Sequence, residues 1–135
     1  MRALKLDLSV ASSVRHDRQS ATANGSTVDL SGYDGAMALL DVAALGGTSP
    51  TATYQLQESD NGTTFTAVST TDLGGETQPA AFSAAGMVTL GYYGNKRYLR
   101  WALTALGGTS PTVTASGTIV RGYARHQPAG VTQTP

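Results

Sequence analysis

One eight-residue stretch occurs twice. Residues 44–51 and 105–112 both read Ala-Leu-Gly-Gly-Thr-Ser-Pro-Thr, at an offset of 61 residues. Identity over eight positions points first to an internal duplication. The flanks argue against duplicated domains: Tyr54 aligns with Ala115 and Asp41 with Ala102. Halves of that size would also bury too little surface to stand alone. An apolar run precedes each copy and an alternating run follows it. Gly-Gly supplies positive φ without steric cost. Proline fixes its own φ and pushes the serine before it toward extended geometry. The octamer therefore predicts one turn solution used in two hairpins of one sandwich. If both loops lie at one end, they form the first surface to test for contact with a partner.

The rest of the chain reads as short strands. Leu4, Leu6 and Leu8 alternate with Lys5 and Asp7, the period of a half-buried strand. Residues 9–24 are rich in Ser, Ala and Thr and predict an extended arm or a loosely paired edge strand, ending at an Asn24-Gly25 turn. Residues 28–30 form a short strand, and 36–44 a strand with room for burial on both faces. Over 51–59, Ala52, Tyr54 and Leu56 share one face; over 97–104, Leu99, Trp101 and Leu103 do. Asn61-Gly62 between alternating runs signals a hairpin. Residues 70–85 predict a long polar loop, 87–90 a strand and 92–95 a turn carrying two tyrosines. Gly117, inside the last strand at 113–123, marks a bulge or a close backbone approach. No stretch sustains a helical period. The fold class expected is all-β: a single-domain antiparallel β-sandwich, jelly-roll-like, over residues 1–126, with residues 9–24 as an arm and 127–135 as an extended tail.

Charge narrows the function classes. Charged residues make up 13% of the chain and the formal net charge is 0. That balance fits neither a nucleic-acid binder nor a highly charged disordered chain. There is no cysteine, hence no disulfide framework and no thiolate metal site. No apolar run reaches the length of a membrane span, and the alternating N-terminus does not read as a signal peptide. The charges are also segregated. Residues 19–95 contain no Lys or Arg, and residues 96–135 contain no acid. Either end strands neutralise middle strands locally, or a basic terminus docks on an acidic face of a neighbouring copy or of another protein.

Catalytic constellations are weak. His16 adjoins Asp17 near Ser13 and Ser20, but a triad is a geometry and adjacency in sequence does not supply it. His126 is too remote from His16 in sequence for a metal-ligand spacing. Glu58, Asp60 and Asn61 group oxygens at a hairpin tip, where turn chemistry accounts for them without a cation. Gly-Gly-Thr-Ser lacks the Gly-Lys ending of a phosphate loop. No catalytic, cofactor or metal site is expected. Trp101 reads as core. Tyr92 and Tyr93, with Tyr33, read as exposed aromatics able to anchor a protein or stack on a sugar.

Several segments taken together carry a resemblance: Leu-Ser-Gly-Tyr-Asp-Gly-Ala-Met-Ala-Leu-Leu-Asp-Val (30–42), Leu-Gln-Glu-Ser-Asp-Asn-Gly-Thr-Thr-Phe-Thr-Ala-Val (56–68), Lys-Arg-Tyr-Leu-Arg-Trp-Ala-Leu-Thr (96–104) and the two Gly-Gly-Thr-Ser-Pro-Thr runs. Over residues 28–124 the chain resembles small structural proteins of tailed bacteriophages, of the capsid decoration (cement) type. The resemblance implies a non-enzymatic β-sandwich that binds the assembled head, made in the bacterial host cytoplasm and located on the capsid surface. The partners implied are the major capsid protein and neighbouring copies of the chain, including a homo-oligomer on the capsid, with no nucleic acid and no membrane. The contact residues expected are Arg15, His16, Arg18, Tyr92, Tyr93, Arg121 and Arg125. A neck or tail component, or a carbohydrate-binding module using Tyr33, Tyr92 and Tyr93, is the alternative.

Overall fold

The computed structural model describes residues 8–124. They form one antiparallel sheet of seven strands: β1 (Ser9–Gln19), β2 (Ala23–Asn24), β3 (Val28–Asp29), β4 (Tyr33–Ser59), β5 (Thr66–Ala67), β6 (Gly86–Tyr92) and β7 (Tyr98–Ala124). The all-β expectation holds, and the only helical piece among the described residues is a 3-10 turn at Thr71–Leu73. Among the described residues no helix is long and apolar enough to cross a membrane. The sheet is curled like half a barrel. Its first half has the order β1-β7-β4-β6. In the second half β2 and β3 pair with β7, and β5 pairs with β4.

The two 27-residue strands, β4 and β7, organise everything else. Each runs straight through one octamer, so the octamers are not hairpin loops. They pair with each other: Gly46 with Thr112, Thr48 with Thr109, and Thr51 with Gly107. Thr48 and Thr109 are the same octamer position, so a local two-fold axis passes between them. The symmetry reaches well beyond the repeat, since Val42–Ala115 mirrors Tyr54–Leu103 and Leu40–Gly117 mirrors Leu56–Trp101. The register shifts mirror one another too, at Val42/Ala44 and at Thr53/Tyr54. Gly47 and Gly108 have φ of 103° and 111°, and Ser49 and Ser110 have φ of 50° and 49°. Bulges need the same residues that turns need, which is why the octamer reads as a loop in sequence. The serines are left-handed, not extended as the following proline predicts. Among the described residues, no third strand pairs with 44–51 or 105–112. The ribbon's outer edges are therefore open, and Pro50 and Pro111 sit there without leaving a ladder bond unmade.

Alternation then builds the core. Ala38, Leu40 and Val42 from one half and Ala52, Tyr54, Leu56, Leu99, Trp101 and Leu103 from the other are all buried in one cluster. Strand 36–44 buries one face only: Met37 and Asp41 are exposed, against the expectation of two buried faces. The curl closes where β1 bulges between Ser12 and Asp17. There the Ser13 hydroxyl accepts the Trp101 N–H at 2.9 Å and donates to the Ser26 carbonyl at 2.7 Å. The Gly25 N–H donates to the Trp101 carbonyl, so Asn24-Gly25 lies along β7 and is not a turn. Residues 9–19 are accordingly a paired edge strand rather than a free arm. Gly117 is a close approach, as its sequence position suggests: a Cβ there would sit 2.7 Å from Trp101 Cδ1. The hairpin at Asn61-Gly62 is present, with Gln57 facing Ala67 and Glu58 facing Thr66. Its tip is longer than a two-residue turn, and Asn61 Oδ1 accepts the Thr63 and Thr64 N–H groups. At Leu56 a side chain stands in for a strand: Gln78 accepts the Leu56 N–H and donates to the Leu56 and Val68 carbonyls.

Candidate functional site

The expected contact residues separate into three groups. Arg15 and Arg18 are exposed on β1. His16 belongs to the same strand, but its side chain lies outside what the structure describes, as do Arg125 and the tail 127–135. Arg121 and Tyr92 are not surface contacts. Arg121 is half-buried, donating from Nη2 to Ser9 Oγ at 2.7 Å and from Nη1 to the Asp29 carbonyl at 3.2 Å. Its guanidinium also lies 4.8 Å from the centroid of the Tyr33 ring. It ties β1, β3 and β4 together, and residue 121 falls on the inward parity of β7 with Ile119, which is why it is not free to meet a partner.

Tyr92 corrects the reading of 92–95 as a turn with two exposed aromatics. Val88, Leu90 and Tyr92 share one face of β6, and Tyr92 is the last residue of the strand, only 7% exposed. Its hydroxyl donates to Glu58 Oε1 at 2.8 Å and accepts the Lys96 N–H at 3.0 Å. Burial, then the bond to Glu58, hold the phenol well above the ordinary tyrosine range. Glu58 is itself buried in β4, so the hairpin carboxylates do not form a cation site. Asp60 pairs with Lys96 at 2.6 Å, and Asp29 takes both Nε and Nη2 of Arg97 at 2.9 Å. Among the described residues no group of three His, Cys, Asp or Glu could hold a metal. These two exposed pairs join basic residues from the end of the chain to acids from its middle, the local neutralisation that the charge segregation allows.

Removing the Tyr92 hydroxyl tests this arrangement. Tyr92→Phe would leave a buried carboxylate and a backbone N–H without partners, at a cost of about 1.5–3 kcal/mol. The raised phenol pKa gives a sign as well. An unfolded tyrosine titrates near about 10, so the stability held by the neutral phenol is present below that pH and is lost as pH rises through the folded value. Denaturant unfolding at neutral pH and above pH ~10 should show the wild type losing stability more steeply in alkali than Tyr92→Phe does. Parallel curves would mean that the phenol is not held by this environment.

Two surfaces remain on the outside. The first is the octamer ribbon. Gly47, Thr48, Ser49, Gly108, Thr109 and Ser110 are all exposed, and the two-fold axis puts both copies into one patch. The second is the outer face of the half β1-β7-β4-β6. Among the described residues the exposed large apolar side chains are Val10, Met37, Met87 and Tyr93, at 66, 41, 67 and 72% exposure. All four fall on this face. Ala38, Leu40 and Val42 point inward, so Met37 points outward; Leu90 and Tyr92 point inward, so Met87 points outward; and Ser9 and Ser13 are buried, so Val10 points outward. A Cβ on Gly91 would meet the Tyr93 ring at 3.2 Å, which places that ring on the same side. Leu8 Cδ2 lies over Gly122. Between these walls runs an apolar groove of about 700 Å³, with Gly35, Gly91 and Gly122 in its lining. Of the tyrosines expected outside, only Tyr93 stands in this surface. Met37, Met87 and Val10 were missed. For Val10 the signal lay at the start of β1, where Leu8 and Val10 alternate with small Ser9, Ala11 and Ser13.

Comparison with protein-family models, with curated proteins and with solved structures finds no match.

Proposed function

We propose that the chain is a non-enzymatic structural protein of a tailed-bacteriophage virion, a decoration protein that binds the assembled head. The observation that carries this reading is the octamer ribbon. Two copies of one sequence form a single exposed patch, held at its centre by tight backbone contacts and open along both edges. A patch of that kind suits docking on a repeated protein surface. The resemblance over residues 28–124 points the same way, and a formal net charge of 0 accords with it. We read the curled sheet as sandwich-like, with its two halves as the facing layers of a jelly-roll-like shell module. The ribbon would then meet the major capsid protein, and binding only the assembled lattice would stabilise that lattice by mass action. The stacking platform required of a carbohydrate-binding module is not assembled, because Tyr92 is buried and Tyr33 already carries Arg121.

Quantitative mass spectrometry of virions purified from the strain carrying the gene is the test. Copies comparable to the major capsid protein are the expected result. A single small ring of copies would place the chain at the neck or tail instead, and its absence from virions would end the reading.

A further inference from the structure

We propose that the seam between β1 and β2 is a binding site for a small organic carboxylate that carries a hydroxyl group at its far end. The site lies apart from the ribbon and does not depend on the virion reading.

The seam opens because β1 bulges. Its register on β7 shifts between Ser12 and Val14 and again between Val14 and Asp17. Bulges re-aim side chains and interrupt pairing. At Ser13 the strand is still tied down, since its carbonyl accepts the Ser26 N–H. Beyond Ser13 a cavity of about 220 Å³ lies between the two strands. Arg15 and Gln19 from β1 and Asn24 from β2 stand in its walls, and the buried residues Leu103 and Tyr54 form its floor. A single water needs only about 10–15 Å³, so there is room for a molecule of several heavy atoms.

Two groups here lack the partners that their chemistry asks for. The first is Tyr54, which is 1% exposed and whose hydroxyl has no hydrogen-bond partner. Its backbone lies two strands from β2 across Leu103, at about 10 Å, so the part that reaches the cavity is the far end of the ring. A buried hydroxyl left unmatched carries a desolvation cost that a ligand atom would offset. Burial alone pushes the phenol pKa up, so the group keeps a proton to donate. The second is Arg15, exposed at the mouth and, among the described residues, without an ion pair or hydrogen bond. By contrast, Arg97 is paired with Asp29, and Arg121 donates to Ser9 and to the Asp29 carbonyl.

Those two groups define the ligand. No carboxylate lines the cavity, so its one formal charge is the Arg15 guanidinium, which matches one carboxylate in a bidentate pair. A second ligand charge at the floor would be buried without a counter-ion, which leaves a neutral polar atom to meet Tyr54. Leu103 and the tyrosine ring cover the hydrocarbon spacer between the two ends. The amides of Gln19 and Asn24 supply further donors at the walls.

Two-dimensional NMR of the isotope-labelled full chain, titrated with 4-hydroxybutyrate, tests the site. Saturable shifts at the amides of Val14, Gln19, Asn24 and Leu103 are expected, with a dissociation constant between about 0.1 and about 10 mM, the strength open to so small a ligand. Butyrate lacks the hydroxyl and butanediol lacks the charge, and each should bind at least about fivefold more weakly. These controls need no mutation and so do not depend on any variant folding. Tyr54→Phe should erase the preference over butyrate, and Arg15→Gln the preference over butanediol, with the rest of the spectrum unchanged. Shifts that stay linear to about 50 mM, or that fall outside the seam, overturn the proposal, and the cavity then holds water only. A preference that survives in its matching variant overturns it as well.

Discussion

Replacing Trp101 by alanine is expected to lower stability by about 3–5 kcal/mol, the largest single effect in the chain. Trp101 is fully buried, and it lies where the curl closes. Its indole lies against Gly117, its backbone N–H donates to the Ser13 hydroxyl and its backbone carbonyl accepts the Gly25 N–H. The side chain thus fills the space between the two halves, while its backbone holds β1 and the segment at residue 25 to β7. Gly117 offers the reciprocal test. A Cβ there would lie 2.7 Å from Cδ1 and 3.1 Å from Cγ of Trp101, so Gly117→Ala should cost about 1–3 kcal/mol by overpacking. In a Trp101→Ala background the same methyl group enters a cavity, and its cost should vanish or change sign. Urea unfolding followed by circular dichroism gives the four stabilities, since Trp101 is the sole tryptophan and fluorescence is lost with it. Effects that add to within about 0.5 kcal/mol would show that the two residues do not share this space.

Much of this core was legible. Alternation alone groups Tyr54 with Leu56, and Leu99 with Trp101 and Leu103, on single faces, and those faces are the buried ones, because a half-buried strand needs nothing beyond its own period. Gly117 was legible as a close approach for the same reason: a glycine interrupting a strand wants a neighbour. The failures have a common cause, which is that a residue's local preference does not reveal its partner. Gly-Gly-Thr-Ser-Pro satisfies a turn and a bulge equally, and only the other octamer decides between them. Tyr92 looked like part of a turn because Gly94 and Asn95 follow it. Continuing the parity of Leu90 by two residues would have put it inside. Arg121 read as a surface cation, yet Ser9 and the Asp29 carbonyl, both remote in sequence, take donors from its two Nη groups. Leu4 and Leu6 of the alternating start lie outside the described residues, and of the two readings of 9–24, an arm or a loosely paired edge strand, β1 is the paired edge strand. Ser9 and Ser13 are the buried positions, and the hydrophobic side faces out. The exposed apolar side of β1 was therefore present in the sequence as an alternation whose direction its own residues do not give.

The second glycine of each octamer should be far less replaceable than the first, and equally so in both copies. Gly47 has φ 103°, and a Cβ on it would lie 2.6 Å from the Ser110 carbonyl oxygen and 2.7 Å from that of Thr109. Gly108 has φ 111°, and its Cβ would lie 2.8 Å from the carbonyl oxygens of Ser49 and Thr48. Each substitution to alanine combines backbone strain with a clash against backbone that cannot rotate away, about 2–5 kcal/mol together. At Gly46 and Gly107 the close neighbour is instead a threonine hydroxyl, Thr112 Oγ1 and Thr51 Oγ1, which can change rotamer. Alanine there should cost about 1–2 kcal/mol or less. Because the two-fold axis relates the sites, Gly47→Ala and Gly108→Ala should agree to within about 0.5 kcal/mol. Because each glycine abuts the other octamer's backbone, the double variant should depart from the sum of the singles by more than that margin. Two independent surface loops would behave otherwise, each losing roughly 1 kcal/mol with additive effects. Denaturant unfolding of the four single variants and the double variant therefore separates a paired, two-fold bulge at the centre of one long ribbon from a turn motif that happens to occur twice.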